Sequence, residues 1–247
     1  MPLVINIRSD FIRLKHTLTE LEQRQLPFAM ARALTNTAKH ARIDMQGEMR
    51  RVFDRPLPWT INSLRIEPAT KRDLQANIHF KDFAPKGTAA GRFLRPQIEG
   101  GSRELKRSER RLQAVDVMQQ GTFLVPRSGA RLDAHGNLNR GQMVKVLSNV
   151  RALGDQSMGA SGGKARGKLR GERYFAVRAG SNRNAHLKPG IYHAVSRTKL
   201  RPIYGFVRAA TYTQRLDFFG FAERAYARDM PELMREAMEF AMRTAQR

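Results

Sequence analysis

The sequence predicts an α+β fold: a long N-terminal helix packed on a central antiparallel β region, a C-terminal helical pair and a glycine-rich basic loop. Three observations carry this reading. Met30, Leu34, Ala38, Ala41, Met45, Met49 and Val52 recur at spacings of four and three, which lines one face of a helix from about Pro27 to Phe53. Short segments in the middle of the chain alternate apolar and polar residues between turn formers. The C-terminal segment returns to helical spacing behind capping residues. The 247 residues suffice for one sizeable core or two small ones. A single elaborated domain is the simpler reading, with the N-terminal strand and helices in 1–54, a β-rich middle in 60–210 and C-terminal helices in 217–246.

Taken in order, Leu3, Ile5 and Ile7 alternate with Val4 and Asn6 as in a short strand, and Ser9 or Asp10 is placed to cap a helix over Phe11–Gln23. The Met30–Val52 stripe follows, with Arg32, Lys39, Arg42, Arg50 and Arg51 on other faces. The small Ala38 and Ala41 permit close approach by another element, either in the core or across a subunit contact. Arg55-Pro56-Leu57-Pro58 stops the helix, because proline lacks the amide donor and restricts the residue before it. Leu64 and Ile66, then Ala76, Ile78 and Phe80, alternate across Lys71-Arg72-Asp73 as a β-hairpin. Lys81–Arg92, containing Pro85, Gly87 and Gly91, reads as a loop. Glu99-Gly100-Gly101 and His135-Gly136-Asn137 read as turns, and Asn139 can cap a short helix carrying Met143, Leu147 and Val150. Residues 154–172 are glycine-rich and poor in apolar groups, so they read as a mobile loop or a segment ordering on assembly. Tyr174–Arg178, Gly190–Val195 and Ile203–Arg208 read as strands. Asp217 can cap Phe218–Arg228, and Asp229-Met230-Pro231-Glu232 has capping-box spacing for a second helix.

A formal net charge of +23 calls for a polyanionic neighbour, whether nucleic acid, an acidic protein or a membrane surface. The absence of cysteine excludes disulfides, thiolate catalysis and Cys-based metal sites. No apolar run approaches the roughly 20 residues that span a bilayer, so no membrane partner is expected. Arg8 follows the first apolar residues instead of preceding them, unlike a secretory signal, and the chain reads as soluble and unprocessed, made in a reducing cytoplasm.

No catalytic set assembles, and no cofactor or metal is expected. The six histidines are scattered without an HExxH pair. Asp133 and His135 have the residue types of a metal-dependent nuclease centre, but Asp, Gly and Asn this close together are turn formers. Gly159–Lys164 falls one residue short of a Walker A loop and has Ala165 where a magnesium-ligating hydroxyl is needed. The serines lack a GxSxG elbow. The basic residues are the more informative group. Lys164, Arg166, Lys168, Arg170 and Arg173 on and beside the glycine-rich loop, with Arg103, Lys106, Arg107, Arg110 and Arg111, are candidate contacts to phosphate or to an acidic partner. No motif for sequence-specific readout is present.

Three segments, LPFAMARALTNTAKHAR, FLRPQIEGGSRELKRSERRL and PIYGFVRAATYTQRLDFFGFAERAYARDMPELMREAMEFAM, resemble tailed-phage minor tail proteins of the lambda protein Z type. The likeness runs through most of the chain in order and leaves out 154–172. It implies a structural virion protein of the neck that completes the head-proximal end of the tail and mediates head–tail joining. It further implies a homo-oligomer in a sixfold ring, partnered by tail terminator and head–tail connector proteins, with the packaged DNA end a further contact. Two other classes stand beside it: a nonspecific nucleic-acid-binding protein, and a metal-dependent nuclease centred on Asp133 and His135.

Overall fold

Helix α1, Glu20–Val52, turns the apolar stripe inward: Met30, Leu34, Ala38, Ala41, Met45 and Met49 are buried and Val52 is half-buried. The computed structural model describes residues 4–8, 20–84, 87–152, 173–180, 186–196 and 198–245, so most of the helix expected over Phe11–Gln23 lies outside the described residues. Pro27 sits inside α1 and does not start it. Proline removes one backbone hydrogen bond, and burial of Leu26 and Ala29 on either side holds the helix through that position.

The chain forms two compact units where the sequence suggests one elaborated domain: Met1–Gly101 with Tyr212–Arg247, and Ser102–Thr211. The physical reason is that the apolar residues sort into two separate clusters, each with its own sheet.

In the first unit, β1 (Val4–Arg8), β2 (Leu64–Glu67) and β3 (Gln75–Phe80) form an antiparallel sheet in the order β1-β3-β2. Ile5 lies opposite Ile78, and Leu64 lies opposite Phe80. The short helix α2, Pro58–Ile61, leads into β2, and Thr70 and Asp73 close the hairpin through hydrogen bonds of 2.8 and 2.9 Å. One face of β3 buries Ala76, Ile78 and Phe80 in the cluster that includes the α1 stripe. Helix α3, Ala90–Glu99, buries Ala90, Leu94 and Ile98 one turn apart. The segment FLRPQIEGG is therefore a helix that ends in the Gly100–Gly101 turn, and not a turn alone. Both glycines have positive φ, +77° and +85°, which other residues adopt only with strain.

The C-terminal helical pair predicted from sequence is one continuous helix, Phe218–Ala245, numbered α6 below because two helices of the second unit precede it. Asp217 caps it as expected, accepting from the Gly220 amide at 3.0 Å. Asp229 does not cap a second helix. Its oxygens are held by Arg228 Nε at 2.6 Å and by His40 Nδ1 at 3.1 Å, and Arg228 also donates to Asp44 at 2.7 Å. Ala222, Ala225, Met230, Leu233, Ala237 and Ala241 keep one buried face across Pro231, so packing carries the helix through a residue that would otherwise break it. Alanines on α6 and on α1 share one cluster, which is the close approach that Ala38 and Ala41 permit.

The chain passes to the second unit through β4 (Gly101–Ser102) and leaves it through β9 (Thr211–Tyr212). Between them, α4 (Arg107–Ala114) and β5 (Phe123–Pro126) precede α5 (Arg140–Asn149), then β6 (Arg173–Val177), β7 (Gly190–Ala194) and β8 (Leu200–Val207). The sheet is antiparallel in the order β5-β8-β7-β6. Leu112, Val117, Met118, Val146 and Leu147 pack with Tyr174, Ile191, Ile203 and Tyr204 of the sheet. Asn139 caps α5 through a 2.9 Å bond from the Gln142 amide. Register slips between Ile191 and Tyr192, where Tyr192 faces Pro202 and Ile191 faces Tyr204. This irregularity accommodates a proline in an interior strand.

Candidate functional site

The second unit concentrates the charge. Ser102–Thr211 carries 22 Lys and Arg against six Asp and Glu, whereas the longer remainder carries 23 against 16. Read along the chain, the basic residues look evenly spread; the division into units shows that they are not. The four described acids of this unit do little to offset it, because three are committed locally.

Glu109 is the most constrained of them. It is fully buried on α4, and its carboxylate accepts from both terminal nitrogens of Arg103, from the Lys106 amide at 2.6 Å and from the Leu124 amide at 2.7 Å. Burial pushes this carboxyl up, but the Arg103 hydrogen bond and the two amide bonds outweigh it and hold the group below the usual glutamate range. The bond from the Lys106 amide is one half of a capping box, so Glu109 also starts the helix. Asp116 pairs with Arg178 at 3.1 Å. Asp133 accepts from the His135 and Asn137 amides at 2.9 and 2.8 Å, and these bonds, with that from Asn137 foremost, hold its carboxyl low.

These contacts sort the sequence candidates. Arg103 is no phosphate contact: its side chain is 12% exposed, paired to Glu109 and set 5.0 Å from the Phe123 ring. Arg107, Arg110 and Arg111 share one side of α4 at i, i+3 and i+4, opposite the buried Glu109, Leu112 and Gln113. Arg107 and Arg110 are exposed and Arg111 is half-buried. Lys106 precedes the helix and is exposed. Arg173 is exposed at the start of β6, an outer strand. Lys164, Arg166, Lys168 and Arg170 lie outside the described residues. The Asp133–Asn137 segment is a turn closed by Asp133, with Gly136 at φ +78°, and its carboxylate is spent on that turn and not held open for a cation. Among the described residues no group of three or more His, Asp or Glu is placed to hold a metal.

Two basic residues escape sequence reasoning. Arg127 lays its guanidinium over Gly205, where a Cβ would collide with it, and Arg201 lies against Gly129 in the same manner. Both are exposed. The only sequence signal is the pair of glycines, whose need for a bare backbone becomes evident once the strands are paired.

Among the described residues no helix is long and apolar enough to cross a membrane. Comparison with family models, with curated proteins and with solved structures finds no match.

Proposed function

We propose that this chain is a structural virion protein of a tailed-phage neck, completing the head-proximal end of the tail and mediating head–tail joining as a ring. The observation that carries the reading is the charge asymmetry: one compact unit holds most of the excess positive charge, and three of its four described acids are locally committed. A surface of this kind binds a polyanionic neighbour. Arg107 strengthens the point. It is exposed at the first position of α4, where the helix dipole disfavours a cation, so its placement serves binding better than stability, whereas burial and the nearby Arg103 disfavour the charged form of Lys106. The likeness to minor tail proteins of the lambda protein Z type supplies the setting, with the tail terminator, the head–tail connector and the packaged DNA end as partners.

The same asymmetry favours a second reading, a nonspecific nucleic-acid-binding protein. Quantifying the chain in purified virions separates the two. A neck protein is present in fixed copy number, and its deletion leaves heads and tails that fail to join. Finding no copy in particles sinks the neck assignment and leaves the binding reading.

A further inference from the structure

We infer that α4, together with Arg103, covers the outer edge of β5 in place of a strand, and that a second copy of the chain pairs at this edge once the cover is lost. β5 has β8 on one side and is an outer strand of its sheet. The amides of Arg127 and Gly129 donate inward to the Ile203 and Pro202 carbonyls, so the backbone groups of the even-numbered residues before them point away from β8. An outer strand leaves such groups open to any other chain. Here they are taken locally. The Leu124 amide donates to Glu109 at 2.7 Å, and the Leu124 carbonyl accepts from Arg103 at 3.4 Å. Just before the strand, the Thr122 carbonyl accepts from Gln113 Nε2 at 3.4 Å, and the Thr122 amide donates to the Gln119 carbonyl at 3.3 Å. Pro126 has no amide to offer.

The two elements match in step. Glu109 and Gln113 are one turn apart on α4, an advance of about 6 Å, and Thr122 and Leu124 are two residues apart along the strand, about 6.7 Å. Both helix side chains are buried, at 0% and 8% exposure, which a polar pair tolerates only where it has groups to satisfy. β5 needs the cover, because Phe123, Leu124 and Val125 carry no charge that would keep another strand away. The other outer strand, β6, begins with Arg173 and is followed by Arg178, and its Tyr174 amide is held by Asn149 at 3.3 Å. An uncharged edge has nothing to attract a polyanion. What fits it is a second β5, antiparallel about a two-fold axis at Leu124, where each Leu124 amide meets the carbonyl of the other.

This inference does not rest on the neck assignment, since it concerns the sheet edge and holds whatever the basic surface meets. It is tested on the full chain with the double variant Arg103→Met/Glu109→Leu, which puts apolar side chains in place of the pair and leaves no buried charge behind. At about 0.3 M salt, which screens the repulsion between two basic units, the variant is expected to sediment larger than the parent as concentration rises. In dilute solution its Leu124 amide is expected to exchange with solvent about tenfold or more faster than in the parent, the scale of a lost charge-assisted hydrogen bond, and to slow again as chains pair. If the double variant does not fold, Gln113→Leu, which keeps the ion pair and opens the Thr122 carbonyl, carries the same sedimentation test. The control Asp116→Ala/Arg178→Ala removes an exposed ion pair of the same unit and is expected to sediment as the parent does. The chain has no cysteine, so variant chains bearing Phe123→Cys can be mixed with variant chains bearing Val125→Cys. The two-fold pairing brings these positions opposite each other within disulfide reach, and a cross-link is expected in the mixture. A folded variant that sediments as the parent at every concentration, or a mixture that forms no cross-link, overturns the inference.

Discussion

The Arg103 guanidinium grips the fully buried Glu109 carboxylate with two nitrogens, while the same carboxylate accepts the Lys106 and Leu124 amides. One side chain thus joins the segment entering α4, the helix start and strand β5. Glu109→Ala leaves an arginine largely out of water without its partner and strips two amides of their acceptor. The expected loss is about 3–5 kcal/mol, read by denaturant unfolding of the second unit's signal. A loss below about 1 kcal/mol, the scale of a surface pair, would show that the carboxylate does not organise this region.

The same contact gives an acid limb. Glu109 has a folded pKa below its unfolded value, so its contribution is complete above the ordinary glutamate range of about 4.3 and is lost as pH falls through the lower folded value. In that window the unfolded chain binds more protons, and stability rises with pH. Asp229, held low first by Arg228 and then by His40, acts in the same direction in the first unit. Melting temperature measured from pH 2 to pH 6 should fall on the acid side. Glu109→Gln should flatten that limb for the second unit.

Tyr204 presents the opposite case. Its hydroxyl is buried without a partner among the described residues, and burial, with Tyr174 second, pushes its pKa up to about 12. Tyr204→Phe removes an unsatisfied polar group from a packed site, so stability should hold or rise by up to about 1 kcal/mol. A clear destabilisation would mean that the hydroxyl has a partner in the molecule in solution.

At the start of α6, Asp217→Ala should cost about 1 kcal/mol through the lost cap. Gly220→Ala should fail to give the gain of about 1 kcal/mol that alanine normally brings to a helix, because its Cβ would displace the Asp217 carboxylate from the cap. Thermal melting of both variants checks this, and a Gly220→Ala variant stabilised by the full amount would refute the geometry.

For the basic face of α4, Arg107→Glu, Arg110→Glu and Arg111→Glu together should weaken DNA binding. They should also reduce the slope of log affinity against log salt by about 2–3. Filter binding at several salt concentrations measures this. An unchanged slope would remove DNA as the partner of this face.

The long elements were legible because burial imposes period on sequence: the Met30–Met49 stripe, the Ala76–Phe80 alternation and the Asp217 and Asn139 caps lie where their spacing puts them. The helices α3 and α4 were not. Pro96 masks the first, and the second carries one large apolar residue, Leu112, in a run of charges, so no apolar period exists to detect. Asp229 has the local look of a cap, but its carboxylate is taken by Arg228 and His40, the latter distant in sequence, and no local rule anticipates that. The basic residues of the candidate surface were visible as types. Which of them are spent internally, as Arg103 is, depends on a buried carboxylate that reads in the sequence as one more surface glutamate.

The route of the chain through its two units has a consequence during synthesis. Ser102–Thr211 is continuous and can condense as soon as it leaves the ribosome. The first unit cannot: the apolar face of α1 waits for α6, which is made only after the whole second unit, to cover it. Until Phe218–Ala245 has emerged, α1 carries exposed methionine, leucine and alanine. A chain stalled before that point therefore carries a continuous basic unit joined to a half-core whose apolar face is still open to aggregation.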